Sequence, residues 1–403
     1  MQSATWVGRV RLSAWRGSVA ALLLIVSFIP VAAWGQAPRP PIVSPDVQAD
    51  GRVTFRLLAP HAAKVLLNSG ELQSVLKVAS TPMTKDDTGV WSVTVGPLPP
   101  GLYDYTFHLD GVAITDPASK HVFGNRQGSR GYAEVPGPPG HPRHDEWRDV
   151  PHGNVTIHWY DSAVSGKRRR VHVYTPPGYA ADPARRFPVL YLLHGSGDND
   201  THWMHIGQAN VVADNLLADG AAVPMLIVMP DGHVRERPPG QLDDATRLAI
   251  RGAFERDLLE HVVPLVESNY HVRTDAAGRA IAGLSMGGAQ ALGVGLAHTD
   301  QFAWIGAFSG AISLNDPVLA ALKANPGPAN SRLKLLWLAI GKDDVGLKDK
   351  QSLSQSLKSF GVNHEYHETA GAHRWSVWRL YLAELLPRLF REEKPAGRES
   401  RGR

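Results

Sequence analysis

Arg279-Ala280-Ile281-Ala282-Gly283-Leu284-Ser285-Met286-Gly287-Gly288-Ala289-Gln290-Ala291-Leu292 is the stretch around which the rest of the chain is read. Ala280–Gly283 is a short run of the kind expected of a strand buried on both faces, and Gly288–Leu292 is a good helix start. Between them Gly283-Leu284-Ser285-Met286-Gly287 fits G-x-S-x-G. A sharp strand-to-helix turn strains the serine's backbone, and only small residues two positions to either side avoid a clash. The turn lifts the hydroxyl above the sheet, so Ser285 is the candidate nucleophile.

Moving outward, Phe187–Leu193, Met225–Met229 and Leu333–Ile340 are further continuous apolar runs. Helical patterns lie at Ala245–Tyr270, Met286–Ala297, Lys348–Phe360 and Arg374–Phe390. This alternation predicts an α/β domain, a mostly parallel sheet with helices on both faces.

A serine needs a base and an oxyanion site. Tyr191-Leu192-Leu193-His194-Gly195-Ser196-Gly197 ends a strand in a glycine-rich turn. That turn, at Gly195 and Ser196, is the expected second oxyanion donor beside the N–H of Met286. On such a fold the acid and then the histidine follow the serine in the chain. His298, His364, His367 and His373 follow Ser285. His373 lies in a small-residue loop, Thr369-Ala370-Gly371-Ala372-His373, beyond the strand around Glu365–His367, whereas His364 and His367 lie on the strand. The acid should follow the strand Leu333–Ile340, where Gly341-Lys342-Asp343-Asp344 offers two carboxylates. One of them should fix the imidazole tautomer.

Residues before this domain read differently. Val53, Phe55 and Leu57 alternate with more polar neighbours, as do Trp91, Val93 and Val95; Tyr103, Tyr105, Phe107 and Leu109 share one face. Asp110-Gly111 supplies a type I′ hairpin turn, whose two central residues need positive φ. The pattern predicts a small all-β, immunoglobulin-like sandwich of about 100 residues. Gly137–Pro142 reads as the linker between two self-contained folding patterns. At the N-terminus Arg9, Arg11 and Arg16 precede the apolar run Val19–Val31, with small residues at Ala32–Ala37. That is the order of a secretory signal peptide, too short for a transmembrane helix of about 20 apolar residues. The expected organisation is a signal at 1–36, the sandwich at 37–136, a linker at 137–147, the α/β domain at 148–391 and a charged tail at 392–403.

Composition excludes several classes. The 403 residues are 43% hydrophobic and 20% charged, as in globular chains, and contain no cysteine. Disulfides, cysteine-ligated zinc, iron–sulfur clusters and a cysteine nucleophile are excluded. The net charge of +4 comes from the two ends, leaving a near-neutral body with no footprint for nucleic acid. The pairs His202/His205 and His364/His367 are not part of H-E-x-x-H, and the 194–197 turn lacks the lysine of a phosphate loop. No metal and no cofactor is expected. After signal cleavage no stable membrane insertion is expected either.

Residues from about 150 to 390 resemble the esterase D-like branch of α/β-hydrolases, which includes the feruloyl and acetylxylan esterases of carbohydrate esterase family 1, enterochelin esterases and mycolyltransferases. The matching segments are His152–Val155, Val173–Tyr179, Tyr191–Gly195, Val228–Gly232, Arg279–Gly288, Gly341–Asp344 and His373–Leu380. By position, the resemblance puts the triad on Ser285, Asp344 and His373. The front domain resembles the early-set modules that precede many exported esterases. The family often has a second glycine where this chain has Ser196. The resemblance implies an exported serine ester hydrolase that removes feruloyl or acetyl groups from plant polysaccharide, with an acylated polysaccharide or small ester as its partner. A siderophore trilactone esterase, an acyltransferase and a non-catalytic carbohydrate-binding protein are the alternatives. Trp203, Trp375 and Trp378 are expected to form an aromatic wall for substrate or to pack in the core.

Overall fold

A computed structural model describes residues 41–126, 128–235 and 242–391. The expected signal segment and charged tail lie outside these residues. Among the described residues no helix is long and apolar enough to cross a membrane.

The front domain pairs two antiparallel sheets. One carries Val53–Leu58 and Val90–Val95 at its centre, and the other is built around Gly101–Leu109. Val53, Phe55, Trp91, Tyr105 and Phe107 fill the space between them. The predicted hairpin is present: Asp110 and Gly111 have φ of 48° and 93°, and Leu109 pairs with Val112. A short helix α1, Gly70–Leu76, which the period-two pattern concealed, is capped by the Ser69 hydroxyl.

The second domain is built on an eight-stranded sheet: β1 Asn154–Ser162, β2 Lys167–Thr175, β3 Val189–Leu193, β4 Leu226–Pro230, β5 Arg279–Leu284, β6 Trp304–Phe308, β7 Leu335–Gly341 and β8 Glu365–Thr369. Their order is β1-β2-β4-β3-β5-β6-β7-β8; β2 is antiparallel to both its neighbours, β1 and β4, and every other pairing is parallel. Successive side chains of a central strand enter opposite layers. Val189, Tyr191 and Leu193 pack in one apolar cluster, and Leu190 and Leu192 in the other. Helices α2 Ala209–Ala218, α3 Asp244–Asp257, α4 Met286–Ala297, α5 Leu347–Ser359 and α6 Trp375–Leu385 cover the two faces. The helix expected over Ala245–Tyr270 runs from Asp244 to Asn269 but widens to a π turn at Leu258–Val262. Pro264 lacks an N–H and would crowd the carbonyl one turn back; a wider turn before it relieves that conflict.

The two folding patterns are not separate bodies. Leu102 and Phe123 of the sandwich pack on Ile206. Within the expected linker, Arg143 bonds Glu134 at 3.0 Å and Asp145 at 2.8 Å, and Asp145 also pairs with buried Arg379 of α6 at 2.6 Å.

Candidate active site

Ser285 sits between β5 and α4 with φ 52° and ψ −115°. The small-neighbour rule has a direct cause here. A Cβ on Gly283 would stand 2.6 Å from the Gly287 backbone, and one on Gly287 would stand 2.5 Å from the His194 carbonyl oxygen. The strain is held by neighbours: the Ser285 N–H donates to the Phe308 carbonyl at 2.8 Å, and the Ala289 N–H donates to the Ser285 carbonyl at 3.0 Å.

The loops after β7 and β8 are laced together by main-chain bonds. The Lys342 N–H donates to the Thr369 carbonyl at 2.8 Å, and the Asp343 N–H to the Gly371 carbonyl at 2.9 Å. A Cβ on Gly341 would lie 2.1 Å from the Gly371 carbonyl oxygen, so only glycine permits this crossing. The crossing brings Asp344 to His373. Nδ1 of His373 lies 3.0 Å from Oδ1 and 2.9 Å from Oδ2 of Asp344, and Nε2 lies 2.9 Å from Ser285 Oγ. A carboxylate only accepts, so Nδ1 carries the proton and Nε2 keeps its lone pair for the serine hydroxyl. Burial opposes the charge on Asp344, but hydrogen bonds from His373, the Gly346 N–H and Ser309 outweigh it and hold the carboxyl below its ordinary range. Asp343 is exposed. The other histidines have structural partners: His364 bonds Ser354, His367 bonds Glu365 and His298 bonds Glu255.

The oxyanion donors follow from peptide geometry. Met286 begins α4, and the first N–H groups of a helix have no intrahelical partner. In the 194–197 turn, the Gly195 N–H donates to Asp198 Oδ2 at 3.3 Å. Nδ1–H of His194 donates to the Gly195 carbonyl at 2.8 Å, and its Nε2 accepts from the Gly232 N–H at 2.9 Å. Across a trans peptide the C=O and N–H point oppositely, so fixing the Gly195 carbonyl turns the Ser196 N–H the other way. Ser196 lines the cleft with Ser285 and Met286. Of the two candidates in the turn, the Gly195 N–H is engaged by Asp198, which leaves Ser196 as the candidate donor. His194, Asp231 and His233 place ligand atoms within 4.8 Å of one another. The His194 Nε2 lone pair is engaged by the Gly232 N–H, and His233 Nδ1 lies 3.2 Å from Asp231 Oδ1.

The cleft has a volume of about 1010 Å³. Leu242, Leu248, Ile312 and Leu314 give it apolar wall; Arg235, Arg247 and Arg251 and the acids Asp243, Asp244 and Asp349 give it charge of both signs. Arg251 is paired with Asp316. Of the two places expected for the tryptophans, Trp203 and Trp378 take the core, whereas Trp375 is half-buried. Trp203 is 1% exposed, packed edge-on against Phe308 and Trp375. Trp378 is 6% exposed, stands edge-on to His373 with ring centres 4.8 Å apart, and donates its Nε1–H to Ser309 Oγ at 2.9 Å.

Three supporting residues carried no sequence signal. Ser309, at φ 53°, receives the Trp378 bond and donates to Asp344. Lys350, fully buried on α5, donates to the Gly310 carbonyl; burial lowers its ammonium to about 7, with Asp344 opposing the shift. Glu71 of the sandwich meets the start of α6.

The Esterase family model matches residues 162–389, and that for carbohydrate-binding module 48, the isoamylase N-terminal domain, matches residues 43–119. An endo-1,4-beta-xylanase/feruloyl esterase of Xylanibacter ruminicola is 30% identical over 356 residues, covering 86% of this chain and 46% of that protein. The chain thus spans about half the length of that relative. Among solved structures, a ferulic acid esterase aligns with a TM-score of 0.51 at 25% identity, covering 59% of this chain and 97% of its own. The enterobactin esterase from Shigella flexneri aligns with a TM-score of 0.61 at 20% identity, covering 83% of this chain and 92% of its own. With the family model spanning more than half of its residues, the chain belongs to the esterase family, on an α/β-hydrolase fold.

Proposed function

We propose that the protein is an exported serine esterase that removes feruloyl or related acyl groups from plant polysaccharide. The observation that carries this is the aligned series Asp344–His373–Ser285, at 2.9 Å on each side of the imidazole, opening into the cleft. His373 Nε2 takes the Ser285 proton as Oγ bonds to the ester carbonyl carbon. The carbonyl π pair moves to oxygen, where the N–H groups of Met286 and Ser196 receive the negative charge. The tetrahedral intermediate collapses, the ester C–O bond breaks, and His373 returns its proton to the leaving alcohol. Water then repeats the sequence on the acyl-enzyme, releasing the acid and restoring Ser285.

The acyl side follows from the wall chemistry. Leu242, Leu248, Ile312 and Leu314 offer more apolar surface than an acetyl group fills. The relative from Xylanibacter ruminicola, described as a xylanase and feruloyl esterase, supports the same direction. A bulky polyanionic siderophore fits less well, because the cleft acids offset its arginines. Export rests on the three arginines and the Val19–Val31 run. Initial rates on methyl ferulate, an acetylated xylo-oligosaccharide and a catecholate trilactone test the substrate class. Preference for the acetyl ester or the trilactone overturns it. The N-terminal sequence of protein recovered outside the cytoplasm tests export, with a new terminus expected between Ala33 and Ala37.

A further inference from the structure

Helix α6 begins two residues after His373, and its N-cap, Arg374, makes no side-chain capping bond. The cap comes from the other domain. Glu71 of α1 accepts the Ser376 N–H on Oε1 at 3.1 Å and the Ser376 hydroxyl on Oε2 at 2.8 Å. A carboxylate there satisfies an orphan donor and complements the positive end of the helix. Glu71 is 5% exposed, and burial pushes its carboxyl above the ordinary range, with Arg379 opposing. The contact is reinforced by Arg374, whose guanidinium lies against Gly70 and whose Nε is 3.4 Å from Ser74 Oγ.

The first turn of α6 is also the floor under the imidazole. Val377 packs against Gly371, where a Cβ would meet it at 2.5 Å, and Trp378 stands edge-on to His373. We propose that Glu71 is a positioning residue for His373, acting across the domain boundary through the first turn of α6. The proposal rests on the assignment of Ser285, His373 and Asp344 as the triad. It reverses the expectation that the front domain is a separable module: the sandwich holds part of the catalytic geometry even for a small soluble ester.

The test uses the full chain, a soluble chromogenic ester, and titration of Ser285 with a fluorophosphonate to count competent sites. In Glu71→Ala, kcat per titrated site is expected to fall about tenfold or more with KM within about twofold of wild type, the signature of lost alignment. Glu71→Gln keeps an acceptor for the Ser376 N–H and should restore most of kcat. Ser376→Ala removes one of the two bonds and should give a smaller loss in kcat alone. A Glu71→Ala kcat within about twofold of wild type, a loss confined to KM, or a Gln variant no better than Ala overturns the proposal. If Glu71→Ala yields no titratable protein, Ser376→Ala decides by the same kcat criterion. Ser285→Ala is assayed alongside. If it stays active, the triad assignment fails, whereas a dead Ser285→Ala with an unaffected Glu71→Ala rejects the cap alone.

Discussion

Asp344 faces His373 with both carboxylate oxygens within 3.0 Å of Nδ1, while its neighbour Asp343 points to solvent. Asp344→Asn should therefore lower kcat by about a thousandfold or more, because an amide favours the wrong imidazole tautomer. Asp343→Asn should stay within about twofold of wild type, as exposed substitutions usually do. Steady-state kinetics of the pair check this, and comparable losses at the two positions overturn the assignment.

Ser285→Ala should reduce hydrolysis by several orders of magnitude and leave the melting temperature within a few degrees, since loss of a nucleophile removes chemistry and not packing. The alanine also relaxes nothing in the elbow, because the main-chain bonds to Phe308 and from Ala289 that hold the positive φ remain. A variant retaining a tenth of the activity would place the nucleophile elsewhere.

Trp378 reaches Asp344 indirectly, through the Ser309 hydroxyl. Trp378→Phe keeps an aromatic ring beside His373 but removes the Nε1–H donor. The expected outcome is a kcat loss of about three- to tenfold with KM little changed, from loosened orientation of the acid. A rise in KM with kcat intact would instead mark Trp378 as a substrate contact, restoring the aromatic-wall expectation.

Asp198 gives a stability prediction with a definite sign. Burial raises its carboxyl from 3.8 to about 6, with His194 opposing. The folded state therefore holds the proton more tightly, and stability from this group falls as pH rises from about 4 to 6. Asp198→Asn cannot ionise and keeps an acceptor for the Gly195 N–H. Its gain over wild type should be larger at pH 8 than at pH 4, by about 2 kcal/mol at 1.36 kcal/mol per pKa unit. Thermal melts of the two proteins at both pH values measure this; equal differences would show that Asp198 does not titrate as described.

Gly283→Ala should fold poorly or lose activity, because its methyl would enter the Gly287 backbone at 2.6 Å. Overpacking of this kind costs about 1–3 kcal/mol or more. Expression yield and activity of the purified variant check it. A stable, fully active alanine variant would show that the elbow relaxes freely.

Local rules made much of this protein legible. Apolar runs bounded by turns marked the central strands, G-x-S-x-G marked the elbow, and Asp110-Gly111 marked its hairpin, since each depends on residues adjacent in the chain. The histidine and the acid were narrowed by chain order and loop position. The choice between Asp343 and Asp344, however, came from resemblance, and its geometric cause is the crossing of Gly341 over Gly371. The sequence could not say whether Trp203, Trp375 and Trp378 border the cleft or lie beneath it, because an indole serves either place equally well. Gly195 and Ser196 were likewise equivalent until the His194 bond set the direction of one peptide plane. Least legible of all was Glu71, some 300 residues from Ser376 in the chain. A carboxylate in a short amphipathic segment carries no local sign of its partner; only the docking of two domains brings it to the end of a helix and buries it there.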